Sequence, residues 1–304
     1  MSEVVTAIQS LIYGAAPERQ VELAELWNRY NPAVEVVPDQ TGALMNANKR
    51  RIQFDFKTLD ALWLIGFSGW RAIETYAPHV VVATITQTSI QSVICDDGEL
   101  GQFEQDYKHR LRLAQDLIAS DGETSVQWPP DVPRPTADRA CLRDDQERVA
   151  FDLTLMAVAY VFLHELWHVV LDRDDTHPSS AAEEEIACDV WARGMMLEKL
   201  ADYAKKHGPS YEAVLNKRAT AMAIACLILQ TITPQWAQWG NDDYPSVGER
   251  MAALIKDISL SAGSGFWIVA ASMLVGVMRE AHQSIEIVPG SVPDLVNDLI
   301  ERRR

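Results

Sequence analysis

The stretch that most restricts this chain is QERVAFDLTLMAVAYVFLHELWHVVLD, residues 146–172. From Val149 to Leu163, apolar side chains fall on nearly every side of a helical projection. Such a helix has no face to give to water and belongs at the centre of its domain. It then carries His164, Glu165 and His168 as HELWH. Polar groups set into an apolar helix are costly unless paired or ligated. Residues four apart share a helical face, so both imidazoles can reach one ion. Glu165 lies beside that face, placed to meet a water rather than the ion.

A hydrolytic zinc takes three protein ligands and leaves one position open. After the loop DRDDTHPSS comes AAEEEIACDVWARG, a second predicted helix with Ser180 as its cap. Glu185 and Asp189 stand four apart on it. Glu185 is expected as the third ligand. Asp189 is expected to accept a hydrogen bond from the far ring nitrogen of a ligand histidine. The 16 residues between His168 and Glu185 leave room for a loop and a helical turn. Three other ligands remain open: Glu184, which pairs at four residues with Cys188; Asp174, six residues after His168; and His177, in the polar loop.

Elsewhere the periodicity predicts a mainly α fold with a small β element. ERQVELAELWNRYN has Val21, Leu23, Leu26, Trp27 and Tyr30 at helical spacing, while AVEVV and RIQFDF read as strands. TLDALWLIGFSGWRAIETYAP reads as an apolar helix stopping near Pro78. Further helices are expected over 101–120, 182–207, 211–231, 246–260 and 265–283, with a short one closing the chain. Residues 121–145 hold Pro129, Pro130, Pro133 and Pro135 and are expected as a linker or an ordered loop. The expected organisation is a mixed α/β region over 1–120, that loop, and a helical core over 146–304.

The formal charge of −16 repels phosphate, which argues against a nucleic-acid partner. Cys95, Cys141, Cys188 and Cys226 form no CxxC pair, so a reduced, cytoplasmic protein is expected. The N-terminus lacks a basic segment followed by a long apolar run. AMAIACLILQTI and FWIVAASMLVGVM fall short of the roughly 20 residues of a membrane span, so no membrane role is expected. No GxSxG and no phosphate-cradling glycine loop occurs.

The run FLHELWHVVLDRD…EEEIACDVWARGMML resembles the gluzincin metallopeptidases, with HExxH followed by ExxxD on the next helix. More narrowly it resembles the Lit-type phage-exclusion peptidases, through EExxCD followed by Trp191 and Ala192. The resemblance implies a helical metallopeptidase core and a Zn2+-dependent endopeptidase of phage defence. It implies a host protein as substrate, with a translation factor as precedent, and an activating peptide or protein. Related helical gluzincins carry histidine-proline and then arginine where this chain has DDYPSVGERMAAL. Pro245 and Arg250 match, and Tyr244 replaces the histidine. Tyr244 and Arg250 are thus expected at the oxyanion, with Glu165 as general base. Two alternatives stand: a non-enzymatic interaction protein with a closed structural zinc, and a metallopeptidase that cleaves a repressor.

Overall fold

The computed structural model describes residues 3–302, apart from Glu99, residues 121–125, Pro234, Gln235, Ala237, Trp239, Asp242 and the Asp96 side chain. Its centre is the helix read first, α6. It spans Asp145–Asp174, longer than its apolar run at both ends. Asp144 caps it by accepting from the Glu147 N–H, and Asp175 ends it in the left-handed region at φ 53°. Val149 faces solvent, and burial becomes almost continuous from Ala157 to Leu166.

Before it come α1 (Glu3–Ala15), α2 (Gln20–Tyr30), β1 (Ala33–Val36), β2 (Met45–Asn48), β3 (Arg51–Phe54), α3 (Phe56–Thr86), α4 (Ile90–Asp96) and α5 (Leu100–Ala119). After it come α7 (Ala181–Leu197), α8 (Leu200–His207), α9 (Tyr211–Ile232), α10 (Val247–Asp257), α11 (Phe266–Glu280) and α12 (Val292–Glu301). The fold is mainly α with one small sheet, as the periodicity predicts. In sheet order β1-β3-β2, β3 pairs parallel with β1 and antiparallel with β2. Ile52 and Phe54 alternate inward from β3, and Phe54 meets Phe162 of α6 edge to face. That contact seats the sheet on the central helix. The edge strand β2, with the sequence MNAN, carries no β-branched or aromatic residue, and its pairing with β3 makes it a strand.

Pro78 does not stop α3, contrary to the sequence expectation. The helix runs 31 residues, straight through it. Proline removes one ladder donor. Beyond it, however, His79, Val80 and Ala83 are buried against the core, and that burial carries the helix on. α3 crosses α6 closely at Gly66, where a Cβ would stand 2.5 Å from Thr154 Cγ2. Only a residue without a side chain fits there.

The described part of the proline-rich segment is an ordered strap; its first five residues lie outside the described residues. Trp63 Nε1 donates to the Pro133 carbonyl at 2.7 Å, Arg110 pairs with Asp131, and Val132 and Leu142 are buried. α6 is the one described helix long and apolar enough to cross a membrane, and 78% of its apolar window lies inside the protein.

Candidate metal centre and active site

α6 presents His164 and His168 one turn apart, their Nε2 atoms 3.2 Å from each other. His164 Nδ1 lies 3.1 Å from Asp189 Oδ1, and His168 Nδ1 lies 2.7 Å from Glu184 Oε1. A carboxylate can only accept, so each Nδ1 carries the hydrogen. Each neutral ring then turns an Nε2 lone pair toward the other. Two lone pairs so close repel unless a cation or a proton stands with them. Glu185 completes the group from α7, with Oε2 3.3 Å from His164 Nε2 and Oε1 3.5 Å from His168 Nε2. Two imidazole nitrogens and a carboxylate converging on one point are a donor set that suits zinc.

The electrostatics agree. Burial disfavours a charged His164, but Glu185 and Asp189 outweigh it and push its pKa up to about 10. With no ion the cluster therefore holds a proton, which a metal would have to displace. Burial alone would raise the Glu185 carboxyl. The charge of His164, hydrogen bonds from both histidines and the charge of Arg250 instead hold it far below the usual carboxylate range. Glu165 moves the other way: burial pushes its carboxyl up, although both histidines oppose this.

Arg250 arrives on α10, whose start is fixed by a capping box between Ser246 and Glu249. Its guanidinium is buried. One terminal nitrogen lies 2.5 Å from Asp189 Oδ2 and the other 3.1 Å from Glu185 Oε2. It therefore bridges the carboxylate that orients His164 and the carboxylate that faces both rings. Tyr160 adds a hydroxyl 3.3 Å from Asp189 Oδ1.

The other ligands left open by the sequence fall elsewhere. Asp174 Oδ2 accepts from the Tyr30 hydroxyl at 2.6 Å and ties α6 to α2. His177 lies on the loop and bonds Glu184 Oε2 through Nδ1 at 2.9 Å. Glu184 is thus engaged by two ring nitrogens, both on their Nδ1 sides. Cys188 is a competitor: its Sγ and donor atoms of His164 and His168 lie within 4.8 Å of one another. Burial, and then the carboxylates around it, push its thiol far up. Glu185, for its part, lies 3.3 Å from one Nε2 and 3.5 Å from the other.

A cavity of about 690 Å³ opens onto the group. His164, Glu165, Glu185, Tyr244 and Arg250 line it, with Met45 of β2, Ile118 of α5 and Ile232 of α9 as apolar wall. Burial and then Glu185 push the Tyr244 phenol up, so it remains a neutral donor. Among the described residues, the proline-rich strap does not line this cavity. Arg134 to Thr136 line a second one of about 900 Å³ between α1, α3 and α6.

The profile of the peptidase U49 family matches residues 52–270, more than two thirds of the chain, and spans His164, Glu165, His168, Glu184, Glu185, Asp189, Tyr244 and Arg250. The chain belongs to the peptidase U49 family. It is also 23% identical to the "Cell death peptidase" of Escherichia coli (strain K12) over 261 residues, 83% of this chain and 79% of that one. No solved structure matches it.

For this U49 peptidase, the sequence reading missed what Glu184 does. Glu184 and Glu185 are neighbours, so on a helix their side chains diverge by about 100°. One meets His168 from outside and the other meets both rings from within. The signal was the length of the acidic run Glu183-Glu184-Glu185 beside a buried histidine pair. The apolar cavity wall from β2, α5 and α9 had no signal, because it is assembled across the fold.

Proposed function

We propose that this U49 peptidase is a zinc-dependent endopeptidase in which His164, His168 and Glu185 would hold the ion. The observation that carries the reading is the pair of facing Nε2 atoms, each ring fixed from behind by a carboxylate, with Glu185 reaching both. Bound zinc supplies Lewis acidity, which polarises a carbonyl and brings the pKa of a water to about 7. Glu165 takes the proton of the attacking water and returns it to the leaving amine. Its raised pKa suits a group that must both accept and release a proton near neutral pH. Tyr244 faces the cavity as a neutral donor toward the tetrahedral oxyanion. Arg250, expected from sequence at the oxyanion, is here given a positioning role, because both its terminal nitrogens face Asp189 and Glu185.

The substrate is proposed to be a host protein, with a translation factor as the precedent class, and the setting cytoplasmic phage defence under an activating peptide or protein. A relative named for cell death supports an intracellular target, and the formal charge of −16 supports a partner other than nucleic acid. The test is elemental analysis beside a proteome-wide search for new protein N-termini in cells expressing wild type or Glu165→Gln. Wild type is expected to hold about one zinc per chain and to create N-termini that Glu165→Gln, still metal-loaded, does not. A wild-type chain that stays metal-free after zinc exposure would sink this reading.

One observation favours a second reading, a closed structural zinc: the nearness of Cys188 to both histidines. Cys188→Ala separates the two. Under the peptidase reading it keeps zinc and cleavage; under the closed-site reading it loses the metal.

A further inference from the structure

The α6–α7 loop carries a side chain that the mechanism above does not use. His177 sits between two carboxylates: Nδ1 lies 2.9 Å from Glu184 Oε2, and Nε2 lies 3.1 Å from Asp172 Oδ1. The other oxygen of Glu184 lies 2.7 Å from His168 Nδ1. A continuous line thus runs from the end of α6 through the loop to the first turn of α7 and back to a metal-facing ring: Asp172, His177, Glu184, His168. We infer that His177 is a positioning residue that fixes the Glu184 carboxylate and through it the orientation of His168. This rests on the reading that His168 helps to hold zinc.

The two histidines of the site are secured differently. Asp189, behind His164, is buried and held by Arg250 and by the Tyr160 hydroxyl. Glu184, behind His168, is part-exposed on the outer side of α7, and its second oxygen meets His177. A carboxylate with one free oxygen on a surface helix turns readily toward water. A donor on that oxygen restricts it to the rotamer that meets Nδ1. Losing a direct partner of a metal ligand changes affinity about 10- to 100-fold, and His177, one hydrogen bond further out, is expected at the low end of that range. The loop is built to present the donor. Asp175 adopts the left-handed cap, and Thr176 N–H returns to the Leu171 carbonyl at 3.1 Å, which turns the chain at once. Pro178 biases His177 toward extended backbone. Ser179 and Ser180 then hydrogen-bond Glu183 and start α7. A histidine kept only for solubility needs none of this geometry.

The test compares wild type, His177→Ala, His177→Asn and Asp172→Asn as full chains. Zinc affinity is measured by chelator competition, the visible spectrum of the cobalt-loaded protein reports ligand geometry, and urea unfolding of the zinc-free chains gives their stability. His177→Ala is expected to bind zinc about 10-fold more weakly and to shift the cobalt spectrum, with unchanged zinc-free stability. Asparagine can place an amide donor near the Nδ1 position, so His177→Asn should recover most of the affinity; Asp172→Asn should fall between. Wild-type affinity in His177→Ala overturns the inference. So does a loss that follows zinc-free stability and is not recovered in His177→Asn. A wild type that binds no zinc overturns the zinc reading itself, and this inference with it.

Discussion

At the scale of single residues, Arg250 is the group whose removal should do most damage. It is a buried cation facing two carboxylates, and burial alone would lower its pKa; Asp189 and then Glu185 hold it firmly charged instead. Truncating one member of such a cluster leaves the others desolvated and unpaired, at a cost of about 3–5 kcal/mol. Arg250→Ala is therefore expected to lower the unfolding free energy by that order and to lose zinc. Urea unfolding curves for wild type and variant measure it, and coincident midpoints would contradict the bridging role. Asp189→Asn tests the other end. An amide can still accept from His164 but no longer neutralises Arg250. Zinc affinity is expected to fall roughly 10- to 100-fold, together with some stability. If Glu185→Gln kept zinc while Cys188→Ala lost it, Cys188 and not Glu185 would be the third ligand.

At the scale of elements, the α3–α6 crossing sets how closely α3 packs on the helix that carries the two histidines. Gly66 lets the helices approach until Thr154 fills the space a side chain would need. Replacing glycine by alanine in a helix gains about 1 kcal/mol in propensity. Here the added methyl must displace Thr154, and overpacking of this kind costs about 1–3 kcal/mol. Gly66→Ala should therefore be destabilising on balance. Adding Thr154→Ala should recover most of the loss, since it removes the two closest atoms and a hydroxyl without a hydrogen-bond partner. Thermal unfolding of the two single variants and the double variant measures the coupling. Equal stability of wild type and Gly66→Ala would show that the crossing is looser than these distances imply.

At the scale of the whole molecule, several partly buried carboxylates tie distant elements together. Burial would raise Glu104 on α5, but hydrogen bonds from Arg279 on α11 and from Tyr76 on α3 hold it below its usual value. Asp131 on the strap is likewise lowered: burial opposes, but the charge of Arg110 and its hydrogen bond prevail. A carboxyl with a depressed folded-state pKa adds stability above its unfolded pKa, about 4, and loses it as pH falls through the folded value. Glu165 and Asp60, both pushed up mainly by burial, act in the opposite sense and offset part of this. For the zinc-free chain, unfolding free energy is expected to rise from about pH 7 to 5 and to drop below about pH 4. The rise comes from His164 and His168, whose raised folded-state pKa values mean that they already hold the protons their unfolded counterparts take up there. Glu104→Gln with Asp131→Asn should flatten that acid limb in urea titrations. An unchanged limb would mean that other groups dominate acid unfolding.

How much of this was legible in the sequence follows from the range of each interaction. The central helix, the facing histidines and the Glu185–Asp189 pair were readable because helical geometry alone puts residues four apart on one face. Most other helices were readable from apolar periodicity, which reflects burial on one side of a local element. Pro78 misled because a local rule was overruled by burial on both sides of the proline. β2 was invisible because a four-residue strand without strand-forming residues exists only through its partner. The roles of Arg250 and Glu184 were decided by tertiary structure. The first sits 61 residues from Asp189 in sequence, and the second depends on a loop that turns back onto the histidine it supports. Sequence sets which side chains one helix can offer together; only the packing of separate helices decides which charges must neutralise one another.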